Sequence, residues 1–207
     1  MGMISTTRRP EAMTTPPEVI FKTTSIGGAD FDIDLYHQSL ALRKRVLVDQ
    51  FKWPLVTLGD LESDQYDTLF AQHIVATEAG RAIGTIRLLP CSHNLFGSTY
   101  MILDAHRGKL PGMPSHLLTR EITDHSSWEA SRLAICDSVP KEFRNRVLAG
   151  LIQAAIDHIR SRGGSRMLGL MRPVFVRVLN NLGFSVSQFG PTKQQADGAI
   201  CVIAYDL

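Results

Sequence analysis

The sequence predicts an α/β protein in which a mixed β-sheet is flanked by helices within a single domain. Apolar stretches typical of strands alternate with amphipathic stretches typical of helices. A strand–helix–strand succession across 128–171 favours parallel pairing, whereas a turn at Gly80 between two apolar runs favours a hairpin. The chain has 207 residues and no internal repeat, which suits one domain of this size.

In the first half of the chain, runs of β-branched residues and alternating apolar and polar residues predict strands. Apolar residues spaced three or four apart predict a helix, and a cluster of turn residues predicts a loop. In chain order the elements are a strand at 19–24, a helix at 36–51, an acidic loop at 52–67, and a hairpin of strands 73–79 and 81–90.

In the second half, the clearest helix starts after Pro140 and ends at a pair of glycines, as helix start and stop signals require. The predicted elements are an irregular segment at 91–126, a central strand at 128–135, a helix at 141–164, a strand at 166–171, a helix at 173–183, and strands at 184–190 and 199–206.

Composition excludes several classes of function. The net charge of +2 does not favour a nucleic-acid partner, and no apolar run is long enough to span a membrane. The three cysteines are far apart and lack metal-binding spacing, so we expect no disulfide framework and no metal, as in a cytoplasmic protein. Residues 1–17 are polar and rich in Pro and Thr, which predicts a disordered leader before a domain at 18–207.

Six charged residues stand out because they lie inside apolar stretches or in the acidic loop. Exposed ion pairs contribute only about 0–1 kcal/mol each, so stability is a weak reason to place charges there. On its own, Arg43 could equally extend from the edge of its helix to water. Together, the six charges predict a cleft that offers both signs to a zwitterion. They are Arg43, Asp64, Asp67, Arg87, Glu129 and Arg132.

The stretch WEASRLAI at 128–135 poses a geometric problem. Side chains alternate between the faces of a regular strand, so Glu129 and Arg132 would lie on opposite faces. A β-bulge within 129–132 would bring both to one site, and bulges are frequent beside active sites. The alternative is that Arg132 pairs on the other face with Asp64 or Asp67 and only braces the acidic loop.

Four blocks occur together in one order: R-x3-L-x5-W from Arg43, ESDQYD at 62–67, IRLLP at 86–90, and WEASRLAI. In this combination the chain resembles the acyl-homoserine-lactone synthases, the LuxI-type autoinducer synthases of quorum sensing, from about 35 to 190. The resemblance implies a fold like that of the GNAT N-acyltransferases. It also implies a reaction: acyl transfer from a thioester to the amine of S-adenosylmethionine, then lactonisation with release of methylthioadenosine.

The resemblance also implies roles for single residues. Glu129 is the first candidate for the general base and Asp64 the second, with Arg132 completing the catalytic set. Leu47 replaces the usual phenylalanine, which leaves the packing of the adenosine open. The residues that the family pattern assigns to S-adenosylmethionine are Arg43, Leu47, Trp53, Asp64, Asp67, Arg87 and Arg132.

An acyl chain requires an apolar slot, which the resemblance places between the central strand and 166–184. In the family that the chain resembles, a preference for 3-oxo chains tends to accompany a Thr in the strand that corresponds to 166–171. Here this strand has Gly169 and no hydroxyl, so the resemblance favours an unsubstituted acyl chain. For each aliphatic residue the alternative is plain core. The candidate lining residues are Met101, Leu133, Leu168, Leu170, Met171, Phe175 and Leu179.

Basic residues around the long helix suit an acidic acyl carrier protein or the phosphates of coenzyme A, although a solvated surface is the simpler interpretation. They are Arg144, Arg146, Arg160, Arg162 and Arg166.

The usual GNAT pyrophosphate loop is absent before 141, which counts against the main alternative, a GNAT acyltransferase for another amine. A catalytically silent relative that binds acyl ligands is the other alternative. We expect a monomer or weak dimer without a prosthetic group, and acyl chain length and donor stay open.

Overall fold

The computed structural model describes residues 18–29, 31–195 and 198–207, so the predicted leader at 1–17 lies outside the described residues. A π-helix at Lys44–Gln50 directly continues the first α-helix. The remaining elements are β1 (Val19–Thr24), α1 (Ile33–Arg43), β2 (Thr57–Leu58), β3 (Leu61–Glu62), β4 (Gln72–Glu78), β5 (Arg81–Pro90), α2 (Met101–His106), β6 (Ser127–Ile135), α3 (Lys141–Ser161), β7 (Arg166–Met171), α4 (Val174–Asn181), β8 (Val186–Gln188), β9 (Lys193–Gln195) and β10 (Gly198–Asp206).

Eight strands form one mixed sheet in the order β1-β4-β5-β6-β7-β10-β8, with β9 paired to β10. Strands β6 and β7 run parallel and are connected through α3, as the strand–helix–strand succession predicts. The other pairs described in this sheet are antiparallel. The predicted mixed sheet flanked by helices is therefore confirmed.

The two faces of the sheet are covered by different elements. In β5, Gly84 faces α3 so closely that a Cβ there would lie 2.9 Å from the Leu151 side chain. Side chains alternate along a strand, so Arg87 points to the opposite face. On that face Leu89 packs with Ile102 of α2. The charge of Arg87 is thereby directed away from the apolar α3 side.

The first helix is longer and less regular than a simple α-helix. It begins at Ile33, where the Asp32 carboxylate caps the Leu35 N–H at 2.9 Å, and it changes to π geometry after Arg43. Such π segments are often found at functional sites because they re-aim side chains. The helix predicted at 36–51 is therefore present, with an earlier start and a distorted second half.

Four short elements are not among those that the sequence predicts. The irregular segment 91–126 contains α2, the acidic loop contains the β2–β3 pair, and β9 follows β8. Each has six residues or fewer, too short to show a clear apolar period. None of the helices among the described residues combines the length and apolar character that a membrane span requires.

Strands β6 and β7 separate part of the way along. Their pairing runs from Ser127–Arg166 to Ala130–Gly169, yet β6 continues to Ile135 and β7 to Met171. The separation leaves a gap in the middle of the sheet at the carboxyl ends of two parallel strands. Ligands of open α/β sheets commonly bind at such an edge.

Candidate active site

Three arginines and three acids from four separate parts of the chain form a single buried cluster, called here the ion-pair network. Its formal charges cancel. Its members are Arg43, Glu62, Asp64, Asp67, Arg87 and Arg132. Five of the six charges singled out from the sequence therefore meet, and the sixth, Glu129, lies beside them.

Arg43 is the last residue of α1 and is fully buried. Its guanidinium donates two bonds to Asp67, at 2.7 and 2.9 Å, and a third to Glu62. A planar fork of donors matches a carboxylate in this bidentate way, which fixes the orientation of both groups. Arg43 therefore does not extend to water, and it connects α1 to residues 62–67 of the acidic loop, called here the acidic segment.

Arg87 crosses the centre of the network from β5. It donates to Asp64 at 2.6 Å and lies 3.0 Å from Asp67, with its Nε bonded to Ser131 of β6 at 3.2 Å. The ring of Tyr66 lies 5.6 Å from the guanidinium carbon, within range of a cation–π contact. One side chain thus connects β5, β6 and the acidic segment.

A bulge directs Arg132 into the same cluster. Arg87 pairs with Ser131 and Thr85 with Ala134, so Arg132 and Leu133 together oppose a single residue of β5. Arg132 has a φ of 54°, in the left-handed region that few residues other than glycine adopt. The bulge predicted within 129–132 is confirmed at the last residue of that range.

The bulge also determines how Arg132 lies relative to the acidic segment and to Glu129. Its guanidinium reaches Asp64 at 2.6 Å and Glu62 at 3.1 Å, so it does brace the acidic segment. It does so on the face that also holds Glu129, because Asp64 binds both Arg132 and Arg87, and Arg87 also binds Ser131, two residues along the strand from Glu129. Arg132 can therefore both brace the acidic segment and belong to the candidate active site.

The acidic segment is folded around its own carboxylates. Asp67 accepts the Asp64 N–H at 2.9 Å, and Asp64 accepts the Tyr66 N–H at 2.9 Å. Burial alone would raise the pKa of Asp64, but the charges of Arg87 and Arg132 outweigh it and lower the pKa. For Asp67 the same balance, set by Arg87 and Arg43, holds the pKa well below its usual range. Both carboxylates are ionised at neutral pH.

Glu129 has a different environment. Its side chain is fully buried in β6, where its carboxylate accepts the N–H of Ile102 at 2.7 Å and of Met101 at 3.3 Å. Burial raises the pKa of Glu129 to about 7, against the opposing effects of these amides and of Arg87. A carboxyl group with a pKa near the working pH suits general base catalysis, and Asp64 does not share this property.

His73 lies behind the network without joining it. Its Nε2 is 3.6 Å from Asp67, too long for a hydrogen bond, and its ring packs edge-on against Tyr36. Burial lowers the pKa of His73 to about 3, so the ring is neutral and adds no charge. Among the described residues, no group of three or more His, Cys, Asp or Glu side chains is arranged to hold a metal ion.

Two residues of the predicted S-adenosylmethionine set lie apart from the network. Leu47 belongs to the π-helix and is fully buried in the apolar core. Trp53 is 41% exposed and packs against Phe51 with ring centroids 6.0 Å apart. Their contact with the substrate stays a prediction.

The predicted acyl-lining residues divide between the two apolar clusters of the fold. Met101, Leu168 and Leu170 pack with the α2 side. The other four pack with the α3 side: Leu133, Met171, Phe175 and Leu179. The two groups lie on the two sides of the sheet, so a slot where β6 and β7 separate would be lined from both sides.

The five basic residues do not form one patch. Arg144 and Arg146 lie in the first turns of α3, and Arg144 donates to the carbonyls of Val139 and Asp137. Arg160, Arg162 and Arg166 lie at its other end, about 24 Å away at 1.5 Å per helical residue.

Glu62 belongs to the network but is not among the predicted site residues. It is fully buried and binds both Arg43 and Arg132. It stands at the start of the quoted ESDQYD block, two residues before Asp64, so its place in that block was the available signal. The turn residues around it give no sign of its burial.

Comparisons with known proteins agree with this geometry. Residues 32–207 match a family model described as autoinducer synthase. An acyl-homoserine-lactone synthase of Acinetobacter nosocomialis is 25% identical over 169 residues, covering 78% of this chain and 86% of the relative. One from Ralstonia nicotianae is 28% identical over 163 residues, covering 73% and 72%.

Solved structures show the same fold. The acyl-homoserine-lactone synthase LasI superimposes with a TM-score of 0.73 at 16% identity, covering 92% of this chain and 90% of that one. BjaI, a CoA-dependent acyl-homoserine lactone synthase solved with S-adenosylmethionine and isopentyl-CoA, gives 0.69 at 20% identity, covering 91% and 83%. A putative N-acetyltransferase from Lactobacillus plantarum gives 0.58 at 12% identity, covering 91% and 98%, so the fold is GNAT-like.

The family model covers most of the chain, and its span includes the ion-pair network, the bulge and Glu129. The chain therefore belongs to the autoinducer synthase family.

Proposed function

We propose that this autoinducer synthase makes an N-acyl-homoserine lactone with Glu129 as the general base and the ion-pair network as the S-adenosylmethionine site. The observation that carries the proposal is the position of Glu129, a fully buried carboxylate between the network and the gap in the sheet. An ordinary core would seldom place a carboxyl group there, because a buried carboxyl group is costly unless it is hydrogen-bonded, and this one requires two backbone amides to hold it.

In the first step, the substrate amine attacks the thioester carbonyl. Glu129 takes the proton that the ammonium form must lose, the amide bond forms, and the carbon–sulfur bond of the thioester breaks to release a thiol that takes up a proton. Backbone N–H groups of β6 beyond Ala130, where β7 no longer pairs, are placed to stabilise the oxyanion.

In the second step, the methionine carboxylate attacks its own γ-carbon. The sulfonium is already a good leaving group, so the protein need only hold a bent conformation while methylthioadenosine departs. Within the network, Arg132 is 12% and Asp64 7% exposed, whereas the other members are at most 1% exposed. We assign substrate contact to Arg132 and Asp64, with Arg43, Asp67 and Arg87 holding them in position.

The acyl chain fits the gap between β6 and β7, which the two sets of apolar side chains would line from the two sides of the sheet. An unsubstituted chain is favoured because Gly169 supplies no hydroxyl. The donor is an acyl carrier protein or coenzyme A thioester. The site would act on substrates inside the cell, because S-adenosylmethionine and acyl thioesters are made there.

The decisive experiment incubates the purified protein with S-adenosylmethionine and acyl thioesters of both donor classes, with mass spectrometry of the products. An acyl-homoserine lactone together with methylthioadenosine supports the proposal. Acylation of another amine from a metabolite mixture, without lactone, would instead assign a different GNAT-type reaction. If no donor gives a product, the remaining interpretation is a catalytically silent relative that binds ligands.

The replacement Glu129→Gln tests the base directly. It keeps the size of the side chain and one acceptor for the Ile102 N–H. Loss of a general base lowers the rate by roughly 10²–10⁴-fold, so kcat should fall by that factor. Unchanged turnover in a folded Glu129→Gln protein would remove Glu129 from this role.

A further inference from the structure

A second buried carboxylate, Asp104 of α2, takes no part in the chemistry described above. Only 4% of the residue is exposed. Its Oδ2 accepts the Thr99 N–H at 3.1 Å and the Tyr66 hydroxyl at 3.1 Å. Its Oδ1 accepts the Thr99 hydroxyl at 2.8 Å and the Lys109 ammonium at 3.1 Å. Asp104 therefore fixes the chain at the start of α2.

Tyr66 connects this carboxylate to the ion-pair network. Its N–H donates to Asp64 at 2.9 Å and its ring lies 5.6 Å from the guanidinium of Arg87. Its hydroxyl, at the other end of the same buried side chain, donates to Asp104. Tyr66 thus connects the proposed substrate-contacting acid, through its backbone N–H, to α2, through its hydroxyl.

The start of α2 in turn holds Glu129, because the N–H groups of Met101 and Ile102 donate to its carboxylate. These amides lie two and three residues beyond Thr99, which Asp104 anchors. We infer that Tyr66 and Asp104 are positioning residues that transmit the placement of Asp64 to the carboxylate of Glu129. This inference rests on the proposed role of Glu129 as base.

The surroundings make this effect measurable as a pH shift. The charged groups that face Glu129 are Arg87 and Asp64. Three other titratable side chains lie nearby, and they stay neutral because burial raises their pKa values: Tyr66, Cys91 and Tyr100.

Asp104 has its own set of neighbours. They are Lys109 and Arg107, with His93, whose pKa burial lowers. Removing the Tyr66 hydroxyl changes no formal charge. A shift in the titration of Glu129 would therefore come from displaced amides, not from a lost charge.

The test compares Tyr66→Phe with Tyr205→Phe, which removes a phenol from a buried position in β10. The quantity measured is kcat/KM for S-adenosylmethionine between about pH 6 and pH 9. Weaker amide bonds disfavour the carboxylate, so the acid limb of the Tyr66→Phe profile should move up by roughly half a pH unit or more. Near pH 9 the rate should return to within about twofold of wild type.

A second variant keeps the test decisive if Tyr66→Phe is poorly folded. Thr99→Val removes one bond to Asp104 without touching the network, and it should shift the limb in the same direction. If the acid limbs of Tyr66→Phe and Thr99→Val both lie at the same pH as the acid limb of Tyr205→Phe, the inference is overturned. A rate lowered equally at every pH also overturns it, since that is a loss of folded enzyme.

Glu129→Gln, measured in parallel, separates this inference from the proposed function. If Glu129→Gln is inactive while the Tyr66→Phe limb is unmoved, Glu129 remains the base and the positioning role fails. If Glu129→Gln keeps its activity, the base assignment fails and the positioning role fails with it.

Discussion

Asp67 is the residue on which the buried charges depend most directly. It accepts two bonds from Arg43, lies 3.0 Å from Arg87, and accepts further bonds from the acidic segment itself. Removing one partner of a buried ion pair costs about 3–5 kcal/mol because the other charge stays buried. We expect Asp67→Asn to lower the free energy of unfolding by that amount, as measured by urea denaturation.

The exposed pair between Lys44 and Asp49 supplies a matched control, since the Asp49 side chain is 51% exposed. Asp49→Asn should change the free energy of unfolding by less than about 1 kcal/mol. The contribution of Asp67 to the free energy of unfolding also depends on pH, and its sign follows from the pKa of Asp67. Because the pKa of Asp67 is lower in the folded state, its contribution is present above about pH 4 and is lost as the pH falls further. Equal losses in the two variants would contradict a dominant role for Asp67.

Single residues also show what could be predicted from the sequence. Arg87 and Glu129 could be recognised because a charge within an apolar strand has few structural explanations. Asp104 could not, because its segment has no strong period and an acid in a loop is usually exposed. Its burial depends on Tyr66, 38 residues away, and one sequence does not reveal that contact.

At the scale of elements, the bulge in β6 converts an alternating strand into one that directs two charges to one face. Arg132 there has a φ of 54°, which glycine adopts without strain. Both Arg132→Gly and Arg132→Ala lose the bonds to Glu62 and Asp64. Arg132→Gly should nevertheless be more stable than Arg132→Ala by about 1 kcal/mol, because glycine also removes the backbone strain of the positive φ.

The control lies two residues away in the same strand, where Ala130 does not have a positive φ. Ala130→Gly should lose about 0.5–1 kcal/mol, the ordinary effect of glycine in a strand. Thermal unfolding of the four proteins measures the differences. If Arg132→Gly is no more stable than Arg132→Ala, the backbone at the bulge is not strained.

Long elements followed their sequence signals, and short ones did not. Helix α3 has 21 residues and a wide apolar face, so its position could be predicted within a few residues. Helix α2 has six residues and is held by tertiary contacts, namely the bonds from its first amides to Glu129 and from Tyr66 to Asp104. The separation of β6 from β7 likewise follows from packing across the sheet, which no local pattern specifies.

At the scale of the whole molecule, the topology decides which basic residues can meet an acyl donor. The chain passes from the end of β6 directly into α3, so the first turn of α3 lies at the end of the sheet where β6 and β7 separate. Arg146 lies there and is exposed, whereas Arg162 is exposed at the opposite end. A thioester that enters the gap from this end of the sheet would bring its phosphates or its acidic protein nearer to Arg146 than to Arg162.

Charge reversal at the two ends of α3 therefore makes an asymmetric prediction. Arg146→Glu should raise KM for the acyl donor by about fivefold at low salt with little change in kcat, because it removes an attraction of roughly 1 kcal/mol outside the reacting centre. Arg162→Glu carries the same charge change at the far end and should leave KM unaltered. The Arg146→Glu effect should weaken as salt is added, since exposed charges are screened. A larger effect from Arg162→Glu would place the donor at the other end of the sheet, away from the gap that Glu129 borders.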